Sequence, residues 1–300
     1  MTLIATHISR FGVIHGSDSS VTRPGGFREA SPIFRIGNLA AVSVAGSWAV
    51  GEETDTASGV VEPIRMDQWM PEFITAIGPN FTLMEFAQRL RDAWQEQRTD
   101  RQRRTPSWAH ICGCERSGEQ FHTEFWAVSN VLEQNPGTPI RVDSNFHVWE
   151  DFSRRDCRDP VDLIAAFMNG SNTHHSYVNG FPEARMTYNA LQRFTANFET
   201  IIQQFMAELP VEVFDLAHLN ARTLLRDQLP ELPGLIDNVL RNPLVTREDH
   251  EQYVQASVRV IIELFRGQQP PVVGGAPLVE PVWYPDNMIQ TADRSPIYHL

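Results

Sequence analysis

The chain has 300 residues, 42% of them apolar, enough to bury a sizeable core in one large domain or a domain with an insertion. A formal charge of −12 and a pI of about 5.3 disfavour nucleic acid or an anionic membrane as a partner. Three cysteines, an odd number, do not make a disulfide framework; with no long apolar run and no cleavable leader, the expectation is a cytoplasmic protein.

At the N-terminus, Thr2 to Ile8 and Gly12 to Gly16 read as strands, with Ser9-Arg10-Phe11 as the turn between them. A hairpin centred near Arg10 pairs positions whose numbers sum to about twenty, which sets Asp18 across from Thr2. A small second residue favours removal of Met1, and Thr2 then becomes the mature N-terminus. Such a threonine carries a hydroxyl nucleophile and, on the same residue, an α-amine able to act as its base. That amine has a reference pKa of about 8 and is partly neutral at cellular pH.

Arg23-Pro24-Gly25-Gly26 makes a loop. Ile33 to Gly46 follows as a second hairpin, with Gly37-Asn38 as its tight turn between strands apolar on both faces. Gly51 to Gly59 is a polar loop. Helices are expected over Met66–Ile77 and Thr82–Arg98. In the second, Leu83, Phe86, Leu90 and Trp94 recur at helical spacing as a core stripe, and Thr82 with Glu85 forms a capping box. The basic run Arg98 to Arg104 reads as favourable charge at a helix C-terminus.

Beyond it, Ile140 to Phe152 holds a strand or two, and Asp159-Pro160 starts a capped helix. Asn169 to Gly180 is a polar loop. A long helix spans Pro182 to Glu208, a helical insertion lies at about 205–245, and Thr246 to Arg266 is a further helix. His147, His174 and His175 have no metal-binding frame around them, and Cys112 with Cys114 supplies only two thiols on one face. No metal is expected. The chain has no phosphate-cradling glycine loop either, so no cofactor is expected.

The order and spacing of these segments resemble the proteasome β-type family of N-terminal nucleophile hydrolases. Thr2-Leu-Ile-Ala, Gly12-Val-Ile and Gly16-Ser-Asp18-Ser keep the family's threonine-to-aspartate spacing. Ile33 to Gly46 is similar to its second hairpin, ending at the oxyanion glycine. Trp108–Gly118 with Gln120–Trp126 resembles its next strand pair, and Val272–Gly275 with Leu278–Tyr284 resembles its last strand. The resemblance implies a four-layer αββα sandwich with Thr2 as nucleophile, Asp18 beside it and Gly46 as oxyanion donor. It further implies a peptide or small-amide substrate and a homo-oligomeric ring, with the tail from Pro285 to Leu300 lying on a neighbouring subunit.

Two departures stand out. All 25 basic residues are arginine, and alignment of the second hairpin sets Pro32 at the position of the family's catalytic lysine. Arg35, three residues on, faces the other side of the strand. The family's Asp-x-x-Ser-Gly-Gly reads Pro270 to Gly275 here, and both polar partners are gone. Gly170-Ser171 is a candidate for the family's Gly-Ser beside the threonine amine, and Arg23 or Arg28 for a substitute positive charge. The two functions implied are a threonine hydrolase without lysine and a catalytically inactive scaffold or ring subunit.

Overall fold

The computed structural model describes residues 2–9, 11–23, 26–56, 59–117, 120–133, 140–150, 175–180, 184–185, 246–265 and 273–285. In chain order these form β1 (Ile4–Ser9), β2 (Gly12–Asp18), β3 (Ser20–Arg23), β4 (Gly26–Glu29), β5 (Ile33–Ile36), β6 (Ala40–Gly46), β7 (Ala49–Thr54) and β8 (Val61–Arg65). Then come α1 (Met66–Ile77), α2 (Leu83–Gln97), α3 (Asp100–Arg103), β9 (Ser107–Ser117), β10 (Gln120–Glu133), β11 (Arg141–Glu150), β12 (His175–Asn179), α4 (Arg247–Phe265) and β13 (Pro277–Trp283).

The strands make two larger antiparallel sheets, ordered β12-β1-β2-β13 and β11-β10-β9-β6-β5, with β3-β4 and β7-β8 as separate ribbons. Alternation along β1 sends its two faces to different partners. Ile8 joins Val13, Ala41, Cys112 and Phe125 between the sheets, and Ile4 packs there with Ala45 and Trp108. His7, on the opposite face, meets His250 of α4. The helix lies close on β2 because Gly16 has no side chain: a Cβ there would sit 2.7 Å from Val254 Cγ1 and 3.1 Å from Val258 Cγ2.

β6 is buried from Ala40 to Ala45. Its Val42 and Val44 turn away from the first sheet, into a cluster with Trp69, Met70, Phe86, Leu90 and Trp94 of α1 and α2. The second helix starts where Glu85 N–H donates to Thr82 Oγ1 (3.1 Å) and Thr82 N–H to Glu85 Oε2 (2.9 Å), a reciprocal cap. α1 and α2 thus pack on the second of the larger sheets, and α4 packs on β2 and β13 of the first.

Several expectations need correction. The first hairpin pairs Ile4 with Ser17 and Thr6 with His15, a sum of twenty-one, so in register Asp18 stands across from Leu3 and not from Thr2. Asp18 accordingly bonds the Leu3 N–H. The stretch 51–59 begins as strand β7 of a two-stranded ribbon rather than as a loop. Glu52, Glu53 and Thr54 are exposed on it, which is why its composition reads as a loop. β5 has partly exposed Phe34 and Arg35, so only β6 of that pair is buried on both faces.

The polar stretch 169–180 ends in β12, an edge strand whose ordering comes from backbone pairing to β1, from Ile4↔Asn179 to Ile8↔His175. Arg98 is not a solvated end-of-helix charge. It is buried, and the basic residues after it form α3, capped by Thr99. The insertion at about 205–245, the bulk of the 182–208 helix, Gly170-Ser171 and the tail beyond Pro285 lie outside the described residues.

Candidate active site around Thr2

The open end of the first hairpin is closed by polar contacts rather than by an apolar plug. Asp18, with no exposed surface, takes the Leu3 N–H on Oδ1 (2.7 Å) and the Gly274 N–H on Oδ2 (2.9 Å). One carboxylate therefore ties residue 3 to the start of β13. Ser17 Oγ donates to Leu3 O (2.7 Å), and Ser19 Oγ accepts from Ala276 N–H (2.8 Å). Thr2 is buried and its Oγ1 donates to Ser20 O (3.1 Å).

Glycines let these segments approach. Gly180 has φ +127°, and a Cβ on it would lie 2.2 Å from Thr2 O. Gly275 has φ +76°, and a Cβ there would lie 2.2 Å from Ser19 Oγ. Neither position admits another residue without displacing the backbone of residue 2 or the Ser19 hydroxyl. Gly274-Gly275 was marked in the sequence by the last-strand motif. The role of Gly180 was not, because Asn179-Gly180 reads only as the end of a polar run.

Burial dominates the electrostatics. Desolvation pushes the Asp18 carboxyl up to about 7, against the lowering effect of the Gly274 and Leu3 N–H groups. Pro32 offers no side-chain donor, and its carbonyl accepts the Val44 N–H (2.9 Å). Arg35 points outward and pairs with Glu280. Arg23 lies on β3 and Arg28 on β4, the ribbon that follows Ser20.

Gly46 ends β6 opposite Ser107, with φ +97°, and a Cβ on it would fall 1.9 Å from Pro106 O. The Ile4–Ala45–Trp108 contact brings this corner to the same end of the sheet pair as Thr2. Arg98 lies behind the corner, where its Nη1 donates to Ser107 Oγ (2.7 Å) and Nη2 to Ser47 O (3.4 Å). Its guanidinium carbon stands 4.1 Å from the Trp94 ring centre and 5.1 Å from that of Phe146. Burial lowers its pKa to about 9, so it stays charged at neutral pH.

A second polar system, which sequence reading missed, lies between the sheets. Asn179 Nδ2 is 2.8 Å from His110 Nε2, His110 Nδ1 is 3.1 Å from Thr6 Oγ1, and His15 Nδ1 is 3.1 Å from Ser43 Oγ. His15 Nε2 faces Cys112 O at 3.4 Å. Burial drives both imidazoles down, His15 to about 4 and His110 to about 3, so both are neutral. With Nε2–H of His15 donating to the carbonyl, its Nδ1 accepts from hydroxyl. The sequence signal was one histidine after Val13-Ile14 and one between Ala109 and Ile111, each within a short apolar stretch.

No group of three or more His, Cys, Asp and Glu side chains arranged to hold a metal occurs among the described residues. No helix among them is long and apolar enough to cross a membrane. The chain matches no protein-family model and no curated protein. It has some likeness to a solved structure described as Thiobacillus denitrificans BPH in complex with epoxomicin. The identity is 13%, coverage is 60% of this chain and 98% of that one, and the TM-score is 0.21. That likeness is too loose to carry the fold or the chemistry of that protein over to this one.

Proposed function

We propose that the protein is an N-terminal threonine hydrolase, of proteasome-like αββα architecture, that cleaves an amide such as a peptide bond. The observation that carries the reading is the closed hairpin end. There the buried Asp18, its carboxyl raised to about 7 by burial, holds the N–H of Leu3, the residue after Thr2, and that of Gly274. Once Met1 is removed, the Thr2 hydroxyl attacks the carbonyl and its proton passes to the Thr2 amine. That proton then goes to the leaving amine, the C–N bond breaks, and water hydrolyses the ester left on Thr2. Gly46 N–H is the proposed donor to the oxyanion. Assembly as a homo-oligomeric ring belongs to the same proposal.

Peptide epoxyketones test it, because they add to a residue bearing both groups. The hydroxyl adds across the ketone, and the amine opens the epoxide, whose oxygen takes the amine's proton. Protein lacking Met1 should gain one probe mass, located on Thr2. Thr2→Ala should gain none, while losing only about 1 kcal/mol of stability with the hydrogen bond to Ser20 O. A Thr2→Ala protein that still labels would end the mechanism.

The second reading, an inactive scaffold or ring subunit, is favoured by two features: the proline at the lysine position of a chain that has no lysine, and Pro270 and Val273 in place of the family's supporting aspartate and serine. Retention of Met1 in protein from its native cell, together with no labelling of protein trimmed to Thr2, would select it.

A further inference from the structure

Arg98 is the most anomalous residue of the fold. It is 2% exposed, its Nε is buried with no hydrogen-bond partner, and none of its contacts among the described residues is a carboxylate. An uncompensated buried charge is costly, and a methionine or leucine packed on Trp94 and Phe146 would avoid that cost. Nor does the guanidinium serve the end of α2. Its bonds go to Ser107 Oγ and Ser47 O, across the gap to the β6 corner.

The corner is held at both sides of Ser47. Arg98 takes the Ser47 carbonyl directly. Ser107 Oγ accepts from both Arg98 Nη1 and the Ser47 N–H (3.3 Å), and it donates its own proton to Thr105 O (3.1 Å). Asn130 completes the frame, accepting the Ser107 N–H at 2.9 Å. Ser47, the residue that follows Gly46, is therefore held at both its N–H and its carbonyl, and the charge that holds it is screened from water by two aromatic rings.

We propose that Arg98 is a positioning residue of the Thr2 site: it fixes Ser47, next in the chain to the proposed oxyanion donor Gly46, and places a positive charge behind the corner where the oxyanion develops. It supplies from the C-cap of α2 the cation that the lysine-free second hairpin lacks. The proposal rests on the threonine-hydrolase reading. Its energetic basis is that a fixed charge in a water-poor site acts on developing negative charge without reorganising when the reaction occurs.

The test uses the full chain freed of Met1 and a peptide epoxyketone, with the inactivation rate constant and the probe's binding constant measured separately. Arg98→Met should slow inactivation by about 10- to 100-fold, less than the loss of a direct oxyanion donor, with probe binding within about twofold. Its melting temperature should equal or exceed the parent's, since the buried charge is gone. Arg98→Lys, which keeps the charge, should recover most of the rate.

A parental rate in Arg98→Met would overturn the proposal and leave the hydrolase reading intact. So would a slowed Arg98→Met that melts well below the parent with no rescue by lysine, since that is a structural defect. If the parent itself never labels, the hydrolase reading falls and takes this proposal with it. Should Arg98→Met fail to fold, Ser107→Ala decides, because it unhooks the guanidinium from the Ser47 N–H at little change in volume. Labelling at least about fivefold slower supports the role, and a parental rate overturns it.

Discussion

Asp18 is the residue on which the hairpin end turns. Its carboxyl is raised from 3.8 to about 7 by burial, so the folded state binds a proton more tightly than the unfolded chain. Linkage then fixes the sign: this stabilisation is full below about pH 4 and is lost as pH rises through about 7. At 1.4 kcal/mol per pH unit, the loss is on the order of 4 kcal/mol. Asp18→Asn removes the titration and also turns one acceptor into a donor, facing either the Leu3 or the Gly274 N–H. Urea midpoints at pH 5 and pH 8 should show the stability difference between parent and variant narrowing at the higher pH. A difference unchanged across that range would mean that Asp18 is not the buried acid described. Asp18 was singled out by its spacing from Thr2. That it faces the Leu3 N–H is a matter of register, which a turn centre placed only near Arg10 cannot resolve to one position.

Among the elements, β6 carries the packing. Six successive buried residues, Ala40 to Ala45, divide between two partners, with Ala41 and Ala45 toward the first sheet and Val42 and Val44 toward α1 and α2. Val44→Asp would set a carboxylate in the apolar cluster that holds Trp69 and Trp94, and should cost several kcal/mol, comparable with the stability of a whole domain. A soluble Val44→Asp protein with an unchanged thermal transition would contradict the packing of helices on this sheet face. The capped helices were legible because their signals are local. Thr82 and Glu85 lie three residues apart and need no distant partner. β12 and β7 were not legible, since an edge strand and an isolated ribbon draw their order from a neighbour's backbone and leave no apolar pattern.

At the scale of the whole molecule, the buried histidine seam sets the response to acid. His15 and His110 are held neutral, with pKa values of about 4 and about 3, while the unfolded chain protonates them near 6.5. Their contribution is therefore complete above pH 6.5 and is lost as pH falls toward 4. Two histidines outweigh the opposite slope of one Asp18, so net stability should peak near pH 6.5 and fall by a few kcal/mol by pH 4. Replacing both histidines by asparagine should flatten the acid limb, even at a cost in absolute stability. An acid limb as steep as the parent's in a folded double variant would assign it to other groups. The seam spans both sheets, from Asn179 beside Gly180 to Ser43 of β6, so its integrity reports on how the sheets face one another.

By itself the sequence determined what depends on neighbours along the chain: the amphipathic and capped helices, the two opening hairpins and the threonine that a small side chain exposes to trimming. Hairpin spacing related Asp18 to Thr2, while Gly46 was suggested only by the resemblance to the proteasome β-type family. Tertiary structure alone decided the rest. Arg98 looks like one arginine in a basic run, yet it is buried because α2 docks against the β6 corner and closes Trp94 and Phe146 over it. His15 and His110 stand ninety-five positions apart and share Thr6 only because the sheets stack face to face. Gly180 and Gly274 reach residues 2, 3 and 18 through pairings that close loops of well over a hundred residues. Contacts of that range leave no periodic trace in a sequence, because nothing local depends on them.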